Sequence, residues 1–120
     1  MARILIVEDE ESNRLLLTEA LEYGGHQVTP AVDGIEALEK ISCPPPDLVI
    51  TDILMPRKGG VELIKEIRWS HPDMKILAIA AMGESVLDEA REAGADRMLK
   101  KPYHLGELLA VVEALLAESR

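Results

Sequence analysis

The stretch Leu48–Pro56, LVITDILMP, sets the reading of the whole chain. It opens as an unbroken apolar run, the pattern of a parallel strand covered on both faces. The run carries one carboxylate, Asp52, to its end and breaks in a loop marked by Pro56, Gly59 and Gly60. A lone acid there is either a cap or turn residue, or a reactive group at the carboxyl end of a strand, where open α/β sheets place their sites. The other strand ends decide between the two.

Upstream, Ile4-Leu5-Ile6-Val7 is a second apolar strand, and it runs straight into Glu8, Asp9, Glu10 and Glu11. One or two acids would satisfy a helix N-terminus; four in a row ask for more. Ser12 and Asn13 lead into a helix with Leu16, Leu17, Ala20 and Leu21 on its apolar side, and Gly24-Gly25 ends it. The next strand, Gln27 to Val32, contains Pro30, which cannot donate to a ladder, so it belongs at a sheet edge. Asp33-Gly34 opens a short helix with Ile35, Leu38 and Ile41, and Pro44-Pro45-Pro46 forms a stiff connector into the central strand.

Downstream, Val61, Ile64 and Ile67 mark a helix from Gly60 to Ser70, with Trp69 expected to pack partly at its edge. Lys75 to Ala81 is a fourth apolar strand, followed by Gly83 and a helix from Ser85 to Ala93 that Gly94 closes. Arg97 to Lys100 is a short fifth strand, Lys101-Pro102 interrupts it, and the final helix carries Leu108, Val112 and Leu115 on one face. Five strands alternating with five helices give an α/β fold: a doubly wound, five-stranded parallel sheet with right-handed crossovers. An edge second strand implies the order 2-1-3-4-5, a flavodoxin-like three-layer sandwich. The chain, 120 residues without repeat or linker, reads as one domain, 1–120.

Composition narrows the function. The net charge of −9 leaves no basic face for nucleic acid and disfavours an anionic membrane surface. Cys43 is the only cysteine, so no internal disulfide can form. There is no signal-peptide pattern and no apolar run of membrane-spanning length. A cytoplasmic location is the expectation.

All parallel strands end on one side, so Glu8 and Asp9, Asp52, Ala80 and Ala81, and Lys101 should converge there. Three neighbouring carboxylates repel unless protons or a cation intervene, and a hard divalent ion such as Mg²⁺ suits oxygen ligands that leave room for phosphate. A carboxylate nucleophile, a metal and a lysine are the parts needed for phosphoryl transfer onto an aspartate. A flavin binder of the same fold would want Ser, Thr and Gly after the first strand, where this chain has Glu-Asp-Glu-Glu.

The segments Ile4-Leu5-Ile6-Val7-Glu8-Asp9-Glu10, Leu48–Pro56, Gly94-Ala95-Asp96 and Lys100-Lys101-Pro102-Tyr103 resemble the receiver domain of bacterial two-component response regulators over essentially the whole chain. The resemblance implies that Asp52 is the phosphoacceptor, receiving its phosphoryl group from a histidine kinase or a histidine phosphotransfer protein in phosphorelay signalling. It implies Asp9 as a direct Mg²⁺ ligand, Glu8 acting through water, and the backbone carbonyl of Leu54 as a further ligand. Lys101 and the amide of Ala81 would contact phosphate, and the peptide before Pro102 would be cis. Such a domain is not an enzyme in the ordinary sense, since it catalyses only its own phosphorylation and dephosphorylation. Leu54 and Met82, as apolar flanks, imply slow hydrolysis. Leu87, Arg91 and Leu108 are candidates for the family's partner surface; the effector itself is unspecified.

Three positions depart from the family. Ala80 stands where Thr or Ser is usual, Met98 where Tyr or Phe is usual, and Gly59 where Asp is frequent. The alternative they raise is a pseudo-receiver, an interaction module that keeps the fold without using phosphorylation. His26, His71 and His104 are scattered and receive no role.

Overall fold

Strands as apolar as Ile4–Val7, Leu48–Thr51 and Ile76–Ala80 are stable only where both faces are covered. The structure, a computed structural model, has that arrangement. It describes residues 2–42, 44–54, 58–81 and 84–118, with the backbone alone at 84 and 85. Cys43, Pro56, Met82 and Gly83, which enter the sequence reading, lie outside the described residues.

In chain order the elements are β1 (Arg3–Val7), α1 (Glu11–Tyr23), β2 (Gln27–Ala31), α2 (Gly34–Lys40), β3 (Leu48–Asp52), α3 (Gly60–Ser70), β4 (Lys75–Ala80), α4 (Glu84–Ala93), β5 (Arg97–Lys100) and α5 (Leu105–Ala117). The five strands form one parallel sheet in the order β2-β1-β3-β4-β5, as the Pro30 argument required. Side chains alternate across it with the period of two that a strand imposes. Ile4, Ile6, Leu48, Ile50, Leu77, Ile79 and Leu99 pack under α1 and α5 against Leu17, Leu21, Leu108, Val112 and Leu115. Leu5, Val7, Val49, Ile76, Ala78 and Ala80 face the other way, toward Ala37, Leu63, Ile64, Ile67 and Ala90 of α2, α3 and α4. Each such Ile or Leu contributes about 1.5–3 kcal/mol by burial. The two layers of helices clamp the sheet, and the strand ends between them stay open.

Several faces differ from the pattern in the sequence. In α2 the buried side is Gly34, Ala37 and Ile41, while Ile35 is turned out to solvent. Two turns of helix give too few repeats to fix the phase of a 3.6 period, and the cap decides it instead. Asp33 Oδ1 accepts from the Glu36 N–H at 2.9 Å, and Glu36 Oε1 accepts from the Val32 N–H at 2.7 Å. In α1 Leu17 and Leu21 are buried but Leu16 is half exposed, and the helix starts at Glu11, within the acid run. In α3 Leu63 joins Ile64 and Ile67 in the core, whereas Trp69 is 89% exposed and does not pack at the helix edge. Leu108 is fully buried and is no part of a partner surface; it faces the sheet.

The amino ends of β4 and β5 are tied by Arg68, at the end of α3. Its guanidinium donates to the carbonyls of Pro72, Met74 and Gly94 at 2.6–2.7 Å and to Asp96 Oδ2 at 3.2 Å. Gly94 has φ +123°, and a Cβ there would meet the Arg68 side chain at 3.0 Å. The Lys101–Pro102 peptide is cis. At the amino ends of the strands His26 accepts the Ala2 N–H at Nδ1 (3.2 Å) and meets Glu113 Oε2 through Nε2 (2.8 Å). That histidine closes a structural contact between the α1–β2 turn and α5.

Candidate functional site

Register delivers the site. Val7 pairs with Thr51, Asp52 with Ile79, and Ala80 with Lys100, so the strand ends lie level along one rim of the sheet. The loops that follow begin at Glu8, Ile53, Ala81 and Lys101. The Lys101 N–H donates to the Ala80 carbonyl at 2.8 Å, which extends the ladder by one residue and aims the lysine side chain inward.

Carboxylate oxygens of Glu8, Asp9 and Asp52 all lie within 4.8 Å of one another. Lys101 Nζ donates to Asp52 Oδ2 at 2.9 Å and sits 4.0 Å from Glu8 Oε1. Glu8 is buried, Asp52 half-buried and Asp9 exposed, so the cluster opens to solvent on one side. Burial, then the hydrogen bond and charge of Asp52, push the Glu8 carboxyl up to about 7; Asn13 and Lys101 act against that rise. Burial works against the charge on Lys101, but its bond to Asp52 and the charges of Asp52 and Glu8 outweigh it and raise its pKa. With three acids against one lysine, the metal-free site is short of positive charge. Oxygen donors, clustered and partly solvated, are the ligand set a hard divalent ion takes.

The Leu54 N–H reaches Asp52 Oδ1 at 3.3 Å, which places that main chain beside the carboxylate. Gly60 lies against the same loop: its N–H donates to the Ile53 carbonyl at 2.8 Å, and a Cβ would fall 2.3 Å from the Asp52 carbonyl oxygen. A cavity of about 580 Å³ adjoins the acids, with Asn13, Leu16, Ala81, Tyr103 and Leu105 among its walls. Burial raises the pKa of Tyr103. A larger cavity, about 730 Å³, lies at the opposite rim around His26 and His71, far from the acids.

The residues expected to converge from the sequence therefore do so: Glu8, Asp9, Asp52 and Lys101 form one cluster, with Ala81 lining its cavity. Ala80 is fully buried and its methyl faces α4, in the same layer as Met98. Two residues went unread. Asn13 and Arg14, in the first turns of α1, both lie against the acid pair: Asn13 lines the cavity with Glu8, and Arg14 donates to the Glu8 carbonyl (2.9 Å) and the Asp9 carbonyl (3.4 Å). The available signal was direction, because helix side chains lean toward the N-terminus and a long one there reaches back over the preceding loop.

The family model described as the response regulator receiver domain matches residues 4–113. Response regulator MprA of Mycobacterium ulcerans is 40% identical over 120 residues, covering 98% of this chain and 51% of that protein. MprA of Mycobacterium tuberculosis is 39% identical, covering 98% and 52%. The chain thus spans about half the length of these relatives. Among solved structures, the non-phosphorylated HemR receiver domain of Leptospira biflexa superposes with a TM-score of 0.92 at 31% identity, covering 100% of this chain and 98% of that one. The NtrX receiver domain of Brucella abortus gives 0.91 at 32% identity, covering 97% and 99%. A match this long in sequence, on the same fold, means that the chain belongs to the receiver-domain family of response regulators.

Proposed function

We propose that this receiver domain accepts a phosphoryl group on Asp52 from a histidine kinase or a histidine phosphotransfer protein, in a Mg²⁺-dependent reaction. The observation that supports this best is the convergence of three carboxylates within 4.8 Å, with the Lys101 ammonium 2.9 Å from Asp52. Glu8, Asp9, Asp52 and the Leu54 carbonyl are the groups that would hold Mg²⁺. The ion supplies the positive charge that lets a dianionic phosphoryl group approach an acidic pocket. An Asp52 carboxylate oxygen attacks phosphorus, the P–N bond to the donor imidazole breaks, and its electron pair returns to the ring nitrogen. Lys101 gives up its bond to Asp52 for a phosphoryl oxygen, and the Ala81 amide donates to another. The chain acts on itself alone, as a signalling phosphoacceptor rather than an enzyme with turnover on other substrates.

Incubation with acetyl phosphate and Mg²⁺ is expected to add one phosphoryl group, seen by intact-mass spectrometry. Asp52→Asn removes the nucleophile and is expected to abolish the adduct. Labelling of the Asn variant at the wild-type level would overturn the assignment.

A pseudo-receiver is the second reading, and Ala80 with Met98 favours it. In a typical relative a hydroxyl at position 80 meets the phosphoryl group in the active state, a bond to a charged group worth about 1.5–3 kcal/mol. Ala80 lacks it, and a ligand biases a switch only by its differential contacts with the two states. Phosphorylation should therefore shift the α4–β5 region roughly ten-fold less than in such a relative. Met98, a flexible thioether chain, adds no single inward rotamer. Amide hydrogen exchange with beryllofluoride, which mimics the phosphoryl group on Asp52, is expected to show new protection in the site loops and little across β5. An Ala80→Thr, Met98→Tyr double variant should gain protection there; equal protection in both chains would refute the weakened switch.

Outputs follow the same reasoning. The exposed Arg91 and half-buried Leu87 of α4 offer the partner surface, without Leu108. The domain itself makes no nucleic-acid contact, given its net charge of −9. No helix among the described residues is long and apolar enough to cross a membrane, and the proposed location is the cytoplasm.

A further inference from the structure

Acidic side chains at a strand end are only as well placed as the loop that carries them. In the loop after β1, Glu10 stands at the N-cap of α1 and accepts from the Ser12 hydroxyl at 2.7 Å, but its side chain caps no backbone N–H of the first turn. Arg14 supplies the missing constraint. Its Nη1 donates to the carbonyls of both Glu8 and Asp9, at 2.9 and 3.4 Å, while its own N–H bonds the Glu10 carbonyl at 2.9 Å. One guanidinium therefore bridges the main chain of the two acids to the first turn of α1. Asn13, one residue earlier, lines the site cavity beside Glu8, Asp52 and Lys101 and favours the charged form of Glu8.

We infer that Arg14 and Asn13 are positioning residues for the cation site: Arg14 fixes the backbone of Glu8 and Asp9, and Asn13 fixes the Glu8 carboxylate. The inference rests on the Mg²⁺ reading above. Groups that orient ligands from behind typically control metal affinity by 10–100-fold when removed. What separates positioning from a general charge effect is its sign. Arg14 is a cation close to a cation site, so by charge alone its removal would tighten Mg²⁺ binding. By positioning, its removal weakens binding, because the carboxylates lose their fixed spacing.

The test is isothermal titration of Mg²⁺ into metal-free wild type, Arg14→Met, Arg14→Lys, Asn13→Ala, Asp9→Ala and Arg91→Met, with each chain's metal-free melting temperature recorded. Arg91, exposed and paired with Asp88, controls for loss of one positive charge away from the site. Arg14→Met and Asn13→Ala are expected to bind about ten-fold more weakly, Arg14→Lys also more weakly, and Arg91→Met like wild type. At saturating Mg²⁺ the rate of labelling by acetyl phosphate should return to wild type in all three site variants, placing the defect in affinity. Arg14→Met binding as tightly as wild type, or tighter, would overturn the inference. Should that variant not fold, unchanged affinity in Arg14→Lys, which keeps the charge without the fork, would overturn it equally. An Asp9→Ala chain that binds as wild type does would instead remove the Mg²⁺ reading, and this inference with it.

Discussion

Replacing Gly60 by Ala is expected to destabilise the domain by about 3 kcal/mol or more, the upper end of what an added methyl does in a packed site. The Cβ would lie 2.3 Å from the Asp52 carbonyl oxygen and 2.6 Å from Ile53 Cα. Both are backbone atoms, so no side chain can swing away to make room. Either α3 lifts off the sheet, at the expense of buried Leu63, Ile64 and Ile67, or the end of β3 moves and takes Asp52 out of register with Ile79. Urea unfolding measures the first outcome, and the acetyl phosphate labelling rate reports the second. By contrast Gly106→Ala, in α5 with nothing within 4 Å, should leave labelling unchanged and raise stability by about 0.4–1 kcal/mol. A Gly60→Ala chain with wild-type stability and labelling would show that the close approach is not a constraint.

The second large effect concerns pH. Glu8 has its carboxyl pushed from 4.5 to about 7, by burial first and by Asp52 next. The folded chain therefore keeps a proton that the unfolded chain releases near 4.5. Its contribution to metal-free stability is complete below pH 4.5 and is lost as pH rises through about 7. Mg²⁺ follows the opposite course, because it must displace that proton: affinity should climb up to about pH 7 and then level off. One displaced proton predicts roughly a 20-fold gain between pH 5.5 and 7.5. Titrations of Mg²⁺ at several pH values measure the slope, and Glu8→Gln should flatten it. An affinity in the wild-type chain that is constant from pH 5.5 to 7.5 would contradict the shift and its cause.

The parts of this domain that could be read from its sequence are those with a period or a sharp break. Apolar runs ending at Val7, Asp52 and Ala80 gave the strands, Pro30 placed β2 at the edge, and parallel order then brought Glu8, Asp9, Asp52 and Lys101 to one rim. Less legible were features set by tertiary contact. The side of α2 that turns inward depends on the Asp33–Glu36 cap rather than on the spacing of Ile35, Leu38 and Ile41. Leu108 looks like any helix leucine until the sheet beneath it is known. Arg14 and Arg68 bond mostly to backbone carbonyls, which every residue has, so nothing in the sequence marks their partners.

Trp69 has a practical consequence. It is the only tryptophan, and it is almost fully solvated on the outer side of α3, as Tyr23 is at the end of α1. Its emission in the native chain is expected to be that of an indole in water, because unfolding changes its surroundings little. The acid cluster lies at the other rim of the sheet, too far to quench it through contact. Tryptophan fluorescence is thus a silent channel for this domain, both for melting and for Mg²⁺ uptake. Circular dichroism of its five helices and calorimetry are the signals that carry information.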